Sequence, residues 1–293
     1  MGANLTVPID YARVTNWNFP DVEQTYSEKD TILYALGIGL GANPIDAREL
    51  RFVYEDGLQS LPTMAVVLGT PGFWLRDPAT GVDWRQVLHG EHTLIAHVAL
   101  PCCARIIGRT RVDAVVDKGQ GRSALIYTSR QVFDADSGML LSTQKSTIVC
   151  RADGGFNGPT EPHRERRLLP ARPPDIALEV RTLPQGALIY RLSGDRNPLH
   201  ADPVLAAAAG YDRPILHGLC TYGIAGYALL RSLCGYDPRR LRRLDARFTA
   251  PVYPGETLRT EIWREATGTA GFRCLALDRK VVVLDNGYIE FDA

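Results

Sequence analysis

The sequence predicts an α+β fold made of two copies of one unit, each an antiparallel sheet wrapped around a central helix. Three observations lead there. Two blocks of strand-like sequence carry the same landmarks in the same order. A polar, turn-rich segment separates them. The longest apolar stretch reads as a helix with no polar face, and such a helix has to be buried.

The chain has 293 residues, 45% hydrophobic and 23% charged, with a formal net charge of zero. That is enough chain for a large core. The charge balance gives no global attraction to nucleic acid or to an anionic membrane, so neither is expected as a partner. The most apolar segment, Ile215 to Leu230, contains His217 and three glycines and is too short to span a bilayer. No basic region followed by an apolar run opens the chain, and the C-terminal residues Phe291-Asp292-Ala293 are not a peroxisomal tripeptide. The six cysteines form no CxxC pair and no metal-ligand cluster. A reducing cytoplasm is the expected setting.

In the first half, Ser27 with Glu28 and Asp30 reads as an N-cap and acidic first turn. A small-residue helix over Thr31–Leu40 follows, ending near Gly41. Strands are predicted at His92–Leu100, Arg105–Val116, Ser123–Phe133 and Met139–Cys150, with turns at Lys118–Gly121 and Asp136–Gly138. Residues 151–175, rich in Gly, Pro and charge, read as a linker between an N-terminal unit (1–150) and a C-terminal unit (176–293). The basic cluster His163–Arg167 within it reads as solvated chain.

The second half repeats the pattern. A strand at Ile176–Thr182 leads to a short helix over Pro203–Ala209, with Asp202 as N-cap and Pro203 at its first position. The long apolar helix covers Gly218–Leu233, where Gly223, Ala225 and Gly226 imply close packing against its backbone. Strands are predicted at Leu241–Ala250, Thr257–Ala266, Phe272–Leu284 and Tyr288–Phe291. Both strand blocks show a proline corner, a glycine before a long strand, a glycine turn and an Asp-x-Gly turn, the last at Asp285-Asn286-Gly287 in the second block.

One segment is polar and turn-rich between apolar elements: Tyr190-Arg191-Leu192-Ser193-Gly194-Asp195-Arg196-Asn197-Pro198-Leu199-His200. A bend here lets Asp195 and His200 converge, and such a pair can hold a water and take its proton. Spacing alone leaves a second reading equally open, in which Asp195 caps a turn and His200 packs on the next helix. The amide of Gly218, first in the long helix, could hold a developing oxyanion or could merely admit a tight turn. His217 reads as a supporting or core residue.

The string YRLSGDRNPLHADP, followed by GYDRPILHGLCTYGIAG, resembles the MaoC-like (R)-specific enoyl-CoA hydratases, or hydratase 2, in their two-repeat form. The resemblance implies a double hot-dog fold and reversible hydration of trans-2-enoyl-CoA to (3R)-3-hydroxyacyl-CoA, without cofactor or metal. It implies that Asp195 and His200 are the acid/base pair, that Asn197 positions water or thioester, and that Gly218 supplies the oxyanion amide. It also implies a homodimer and an acyl-CoA thioester partner. Arg191 and Arg247 are candidates for its phosphates. The signature occurs once, and Leu88-His89-Gly90 echoes Leu216-His217-Gly218 without an accompanying loop. The competing functions are a dehydratase of acyl-carrier-protein thioesters, a hot-dog thioesterase and a non-catalytic acyl-CoA-binding scaffold.

Overall fold

The computed structural model describes residues 9–151, 153–160 and 167–293. Most of the basic cluster at 163–167 therefore lies outside the described residues.

In the first half, helix α1 (Tyr11–Thr15) precedes strand β1 (Val22–Tyr26), helix α2 (Glu28–Gly37) and the short α3 (Ala47–Leu50). A 3-10 strap over Pro62–Val67 then leads through further short turns to β2 (Val87–Ala96), β3 (Ala104–Asp117), β4 (Ala124–Asp134) and β5 (Leu140–Cys150). The second half runs β6 (Ile176–Arg181), α4 (Gly186–Tyr190), α5 (Pro203–Ala208), α6 (Gly218–Leu233), β7 (Leu241–Phe248), β8 (Thr257–Arg264), β9 (Thr269–Ala276) and β10 (Val281–Phe291). All ten strands form one sheet in the order β1-β3-β4-β5-β2-β7-β10-β9-β8-β6. Read outward from the β2–β7 seam, the two halves have the same order, with β6 to β10 in the places of β1 to β5. This is the double hot-dog that duplication predicts. Between β5 and β6 the described residues form neither helix nor strand.

Local chemistry sets the element ends. Ser27 caps α2 in a capping box, its amide and hydroxyl both donating to Asp30 Oδ2, at 2.8 and 2.7 Å. Asp202 caps α5, with Oδ1 accepting from the Val204 amide at 2.8 Å. At the far end of β3, the Asp117 carboxylate accepts amides of Gly119 and Gly155, both at 2.7 Å, and so ties that strand to the chain leaving β5.

Helix α6 lies against β6, β7, β8 and β10. It is buried on nearly every side, so burial rather than a polar face defines it. Its glycines admit the first repeat. A Cβ at Gly223 would sit 2.7 Å from Tyr34 Oη of α2 and 2.9 Å from Ile38 Cγ2, and the strap reaches α6 at Gly226 through Thr63. The strap, not α2, holds the place before β2 that α6 holds before β7. Helix α2 instead follows β1 as α4 follows β6, and the two pack together, with Tyr34 and Tyr190 rings 5.9 Å apart.

The face of the first repeat under the strap is polar. Strand register puts Arg130, Gln144, Leu94 and Leu244 in one row across β4, β5, β2 and β7. Arg130 Nη2 donates to the Val66 carbonyl at 2.7 Å and to Gln144 Oε1 at 2.5 Å, while Gln144 Nε2 donates to the Ala65 carbonyl at 2.6 Å. Burial pushes the Arg130 guanidinium down to about 10.

The predicted end of the chain needs correction. Phe272–Leu284 is not one strand. The chain turns at Leu277–Lys280, with Lys280 at φ 55° and its amide donating to the Leu277 carbonyl at 3.2 Å. Asp285-Asn286-Gly287 is not a turn but a bulge inside β10, where the register with β9 slips between Leu284 and Gly287 and Asn286 takes φ 53°. Strand β2 also begins earlier than predicted, at Val87, because a bulge between His89 and Glu91 breaks its alternation.

Candidate active site

The polar segment after α4 folds as predicted into a bend. Gly194 takes φ 125°. Asp195 Oδ1 accepts the Asn197 amide at 3.1 Å, and Asn197 Oδ1 accepts the Leu199 amide at 3.1 Å, starting a 3-10 turn over Pro198–His200. The Asn197 oxygen therefore shapes the loop, which leaves its amide nitrogen as the group able to reach a ligand. The turn brings Asp195 and His200 together. Ligand atoms of Asp195, His200 and His217 all lie within 4.8 Å of one another.

His200 is buried while Asp195 is exposed. His200 Nδ1 lies 2.8 Å from the Ile215 carbonyl. A carbonyl can only accept, so Nδ1 carries the proton and Nε2 is left as the free base. Burial lowers the His200 pKa, opposed by the Asp195 charge and by the Ile215 carbonyl. Such a ring is neutral near pH 7 and able to take a proton.

His217 packs on this ring with centroids 3.7 Å apart and planes 28° from parallel. Its Nε2 lies 3.1 Å from the Asp195 backbone carbonyl. Burial, reinforced by neighbouring His200, pushes the His217 pKa down to about 3. His217 is also the N-cap of α6, so the next residue, Gly218, begins the helix with an amide that has no intrahelical acceptor. A Cβ at Gly218 would lie 3.2 Å from Phe248 Cε1, so a methyl there needs that ring or the helix start to give by a few tenths of an ångström. The trio could also ligate a cation, but two stacked imidazoles, each with one nitrogen given to a carbonyl, suit proton transfer better than a tetrahedral donor set.

The first repeat reaches this place through β2. The His89 ring lies 4.8 Å from Phe248 and 5.2 Å from His92, and His92 Nδ1 is 3.0 Å from Ser146 Oγ. Burial pushes His89 down to about 4, with Asp195 opposing it. Leu88-His89-Gly90 is therefore no counterpart of Leu216-His217-Gly218, being strand rather than helix start, yet it borders the same site. Sequence reasoning included Tyr190 in the polar segment without a role and did not place His89 or Phe248 at the site. Neighbouring strands and helices bring them in, and LHGEH was the only local sign. Of the two arginines considered for phosphates, Arg191 sits in the loop with Nε buried and unpartnered, whereas Arg247 lies on β7 opposite Glu91 and Asp285.

A duplicated sheet-and-helix unit with a single Asp/His loop at the start of the buried helix defines a double hot-dog hydro-lyase. Comparison with known proteins agrees. Residues 167–283 match the MaoC like domain, and residues 24–152 match the MFE-2 hydratase 2 N-terminal domain. The chain is 39% identical to 3-hydroxyacyl-thioester dehydratase Y of Mycobacterium tuberculosis, over 92% of this chain and 93% of that one. It is 38% identical to the peroxisomal enoyl-CoA hydratase 2 of Arabidopsis thaliana, over 84% of each. The crystal structure of a MaoC-like dehydratase from Phytophthora capsici superimposes with a TM-score of 0.82 at 30% identity, covering 97% of this chain and 98% of that one. The chain belongs to the MaoC-like hydratase 2 family, whose members in these comparisons include a bacterial and a peroxisomal enzyme.

Proposed function

We propose that the protein catalyses reversible addition of water to trans-2-enoyl-CoA, giving (3R)-3-hydroxyacyl-CoA. The observation that carries this reading is the free Nε2 of His200 beside the Asp195 carboxylate, next to the first amide of α6. Water bound between Asp195 and His200 adds its oxygen to C3 and gives up a proton to the pair. The C2=C3 electrons move toward the thioester oxygen, which the Gly218 amide stabilises. The proton then passes to C2, closing the balance. Positioned acid/base catalysis contributes on the order of a hundred- to ten-thousand-fold, and one oxyanion donor about 3 kcal/mol. The reverse direction removes water from a 3-hydroxyacyl thioester, the reaction named for the M. tuberculosis relative. The unpaired cysteines suit a cytoplasmic setting, and we expect a homodimer.

The test is hydration of a panel of trans-2-enoyl-CoAs, followed by loss of the conjugated-thioester absorbance, with the product trapped by (R)- or (S)-specific dehydrogenases. Wild type should turn over and be trapped only as (R). Asp195→Asn and His200→Ala should stay folded and lose about a hundredfold or more in kcat. Activity retained in both variants overturns the assignment. Hydration only of carrier-protein thioesters moves the substrate class, and release of free thiol from acyl-CoA points to a hydrolase.

A further inference from the structure

The hydration chemistry uses Asp195, His200 and Gly218 and leaves His217 without a step, although it is the residue that touches all of their surroundings. Its side chain and backbone point to different halves of the site. The Nε2 edge meets the Asp195 carbonyl at 3.1 Å, so Nε2 carries the proton and donates. One ring face lies on His200, and the Tyr190 ring is 5.0 Å away at 48°. The His217 carbonyl accepts the amides of Cys220 and Thr221, both at 3.1 Å, and opens α6. The Gly218 amide is the other end of that same peptide unit.

We infer that His217 is a positioning residue that locks the acid/base loop to the oxyanion amide, fixing the distance between the group that activates water and the group that receives charge. This inference rests on the hydratase reading of the site. His200 Nδ1 holds the far end of this loop to the Ile215 carbonyl, and among the described residues His217 Nε2 makes the side-chain hydrogen bond that holds its Asp195 end to the start of α6. The tie is a neutral imidazole. Burial and the neighbouring His200 disfavour its cation, so no second positive charge forms 3.7 Å from the His200 ring. His217 Nδ1, buried and unpartnered, takes no part in the tie.

Two substitutions separate the tie from simple space filling. His217→Phe keeps a flat ring against His200 and removes the donor. His217→Gln removes the ring and keeps an N–H that can reach the Asp195 carbonyl. Thermal unfolding first establishes that both are folded. His217→Phe should lose about a hundredfold in kcat with little change in KM, the cost of a displacement of about 1 Å at the reacting groups. His217→Gln should recover most of that loss. Hydrogen exchange of the 191–202 segment supplies a readout independent of turnover. Exchange should quicken in His217→Phe, stay near wild type in His217→Gln, and remain unchanged in the body of α6. Wild-type kcat in His217→Phe, or an equal fall in both variants, overturns the inference, as does unaltered loop exchange in His217→Phe. If wild type hydrates no thioester, the functional reading fails by itself, and the exchange rates decide whether His217 anchors the loop.

Discussion

The two repeats place their strands in the same order and fill the space beneath them in opposite ways. Under the second repeat lies a regular helix of 16 residues on an apolar floor that includes Leu258, Ile262 and Ile289. Helix α6 satisfies its own backbone internally, and that floor needs no donors. Under the first repeat lies a six-residue 3-10 strap. Its carbonyls turn partly toward the sheet, where Arg130 and Gln144 meet them. A buried carbonyl without a donor is costly, so the loss of a regular helix is matched by polar side chains in the floor. In the proposed mechanism the repeat that carries the Asp195/His200 loop needs the helix, whose start offers the Gly218 amide. The other is released from that demand.

The largest effect that sharpens this contrast is expected at Gly218. Gly218→Ala drives a methyl to 3.2 Å from Phe248, so the helix start or the ring has to move. The expected loss is about a hundredfold in kcat, since a misplaced donor forfeits most of its preorganisation. Unfolding midpoints should change much less than the rate. A variant with unaltered kcat would detach α6 from the chemistry and leave the two repeats equivalent.

A smaller and opposite effect is expected in the first repeat. Arg130→Leu removes the donor to the Val66 carbonyl, and Gln144→Leu leaves the Ala65 carbonyl with the Leu68 amide alone. Each should cost about 1–3 kcal/mol in urea unfolding while leaving kcat for short enoyl thioesters near wild type. Replacing a buried charge by an apolar residue can also stabilise. A gain in stability would show that the strap holds itself and that its donors serve some other end.

The second repeat was the more legible of the two in the sequence, for the same physical reason. The bounds of α6 follow from an apolar run between a histidine-glycine start and Leu233, and Asp202-Pro203 marks α5 by capping chemistry alone. Asp195 and His200 were readable as a pair because a five-residue bend brings them together locally. The strap was not readable, since its partners Arg130 and Gln144 lie more than sixty positions away and meet it only through strand register. Nor was the bulge at Asn286, because Asp-Asn-Gly has the composition of a turn and only pairing with β9 shows that the strand continues. His89 and Phe248 border the site from strands whose local pattern says only that they are partly buried.

Acid stability offers the finest test, since each repeat contributes a pair of enclosed histidines: half-buried His89 and buried His92 from the first, buried His200 and His217 from the second. Burial lowers all four. In the unfolded chain a histidine takes its proton near pH 6.5. In the folded protein His89 does so only at about 4 and His217 at about 3. Between these limits the unfolded state binds more protons than the folded one, so stability rises with pH there. The contribution is complete above about pH 6.5 and is lost as pH falls toward the folded values. These two groups alone give a slope of roughly 2–3 kcal/mol per pH unit near pH 5, measurable by urea unfolding at stepped pH. His89→Gln should remove about half of that slope from the first repeat, and His217→Gln the other half from the second. A slope that neither substitution reduces would mean that both rings titrate in contact with water. The polar interior shared across the β2–β7 seam would then be open to solvent, and the difference between the repeats would lie in α6 and the strap alone.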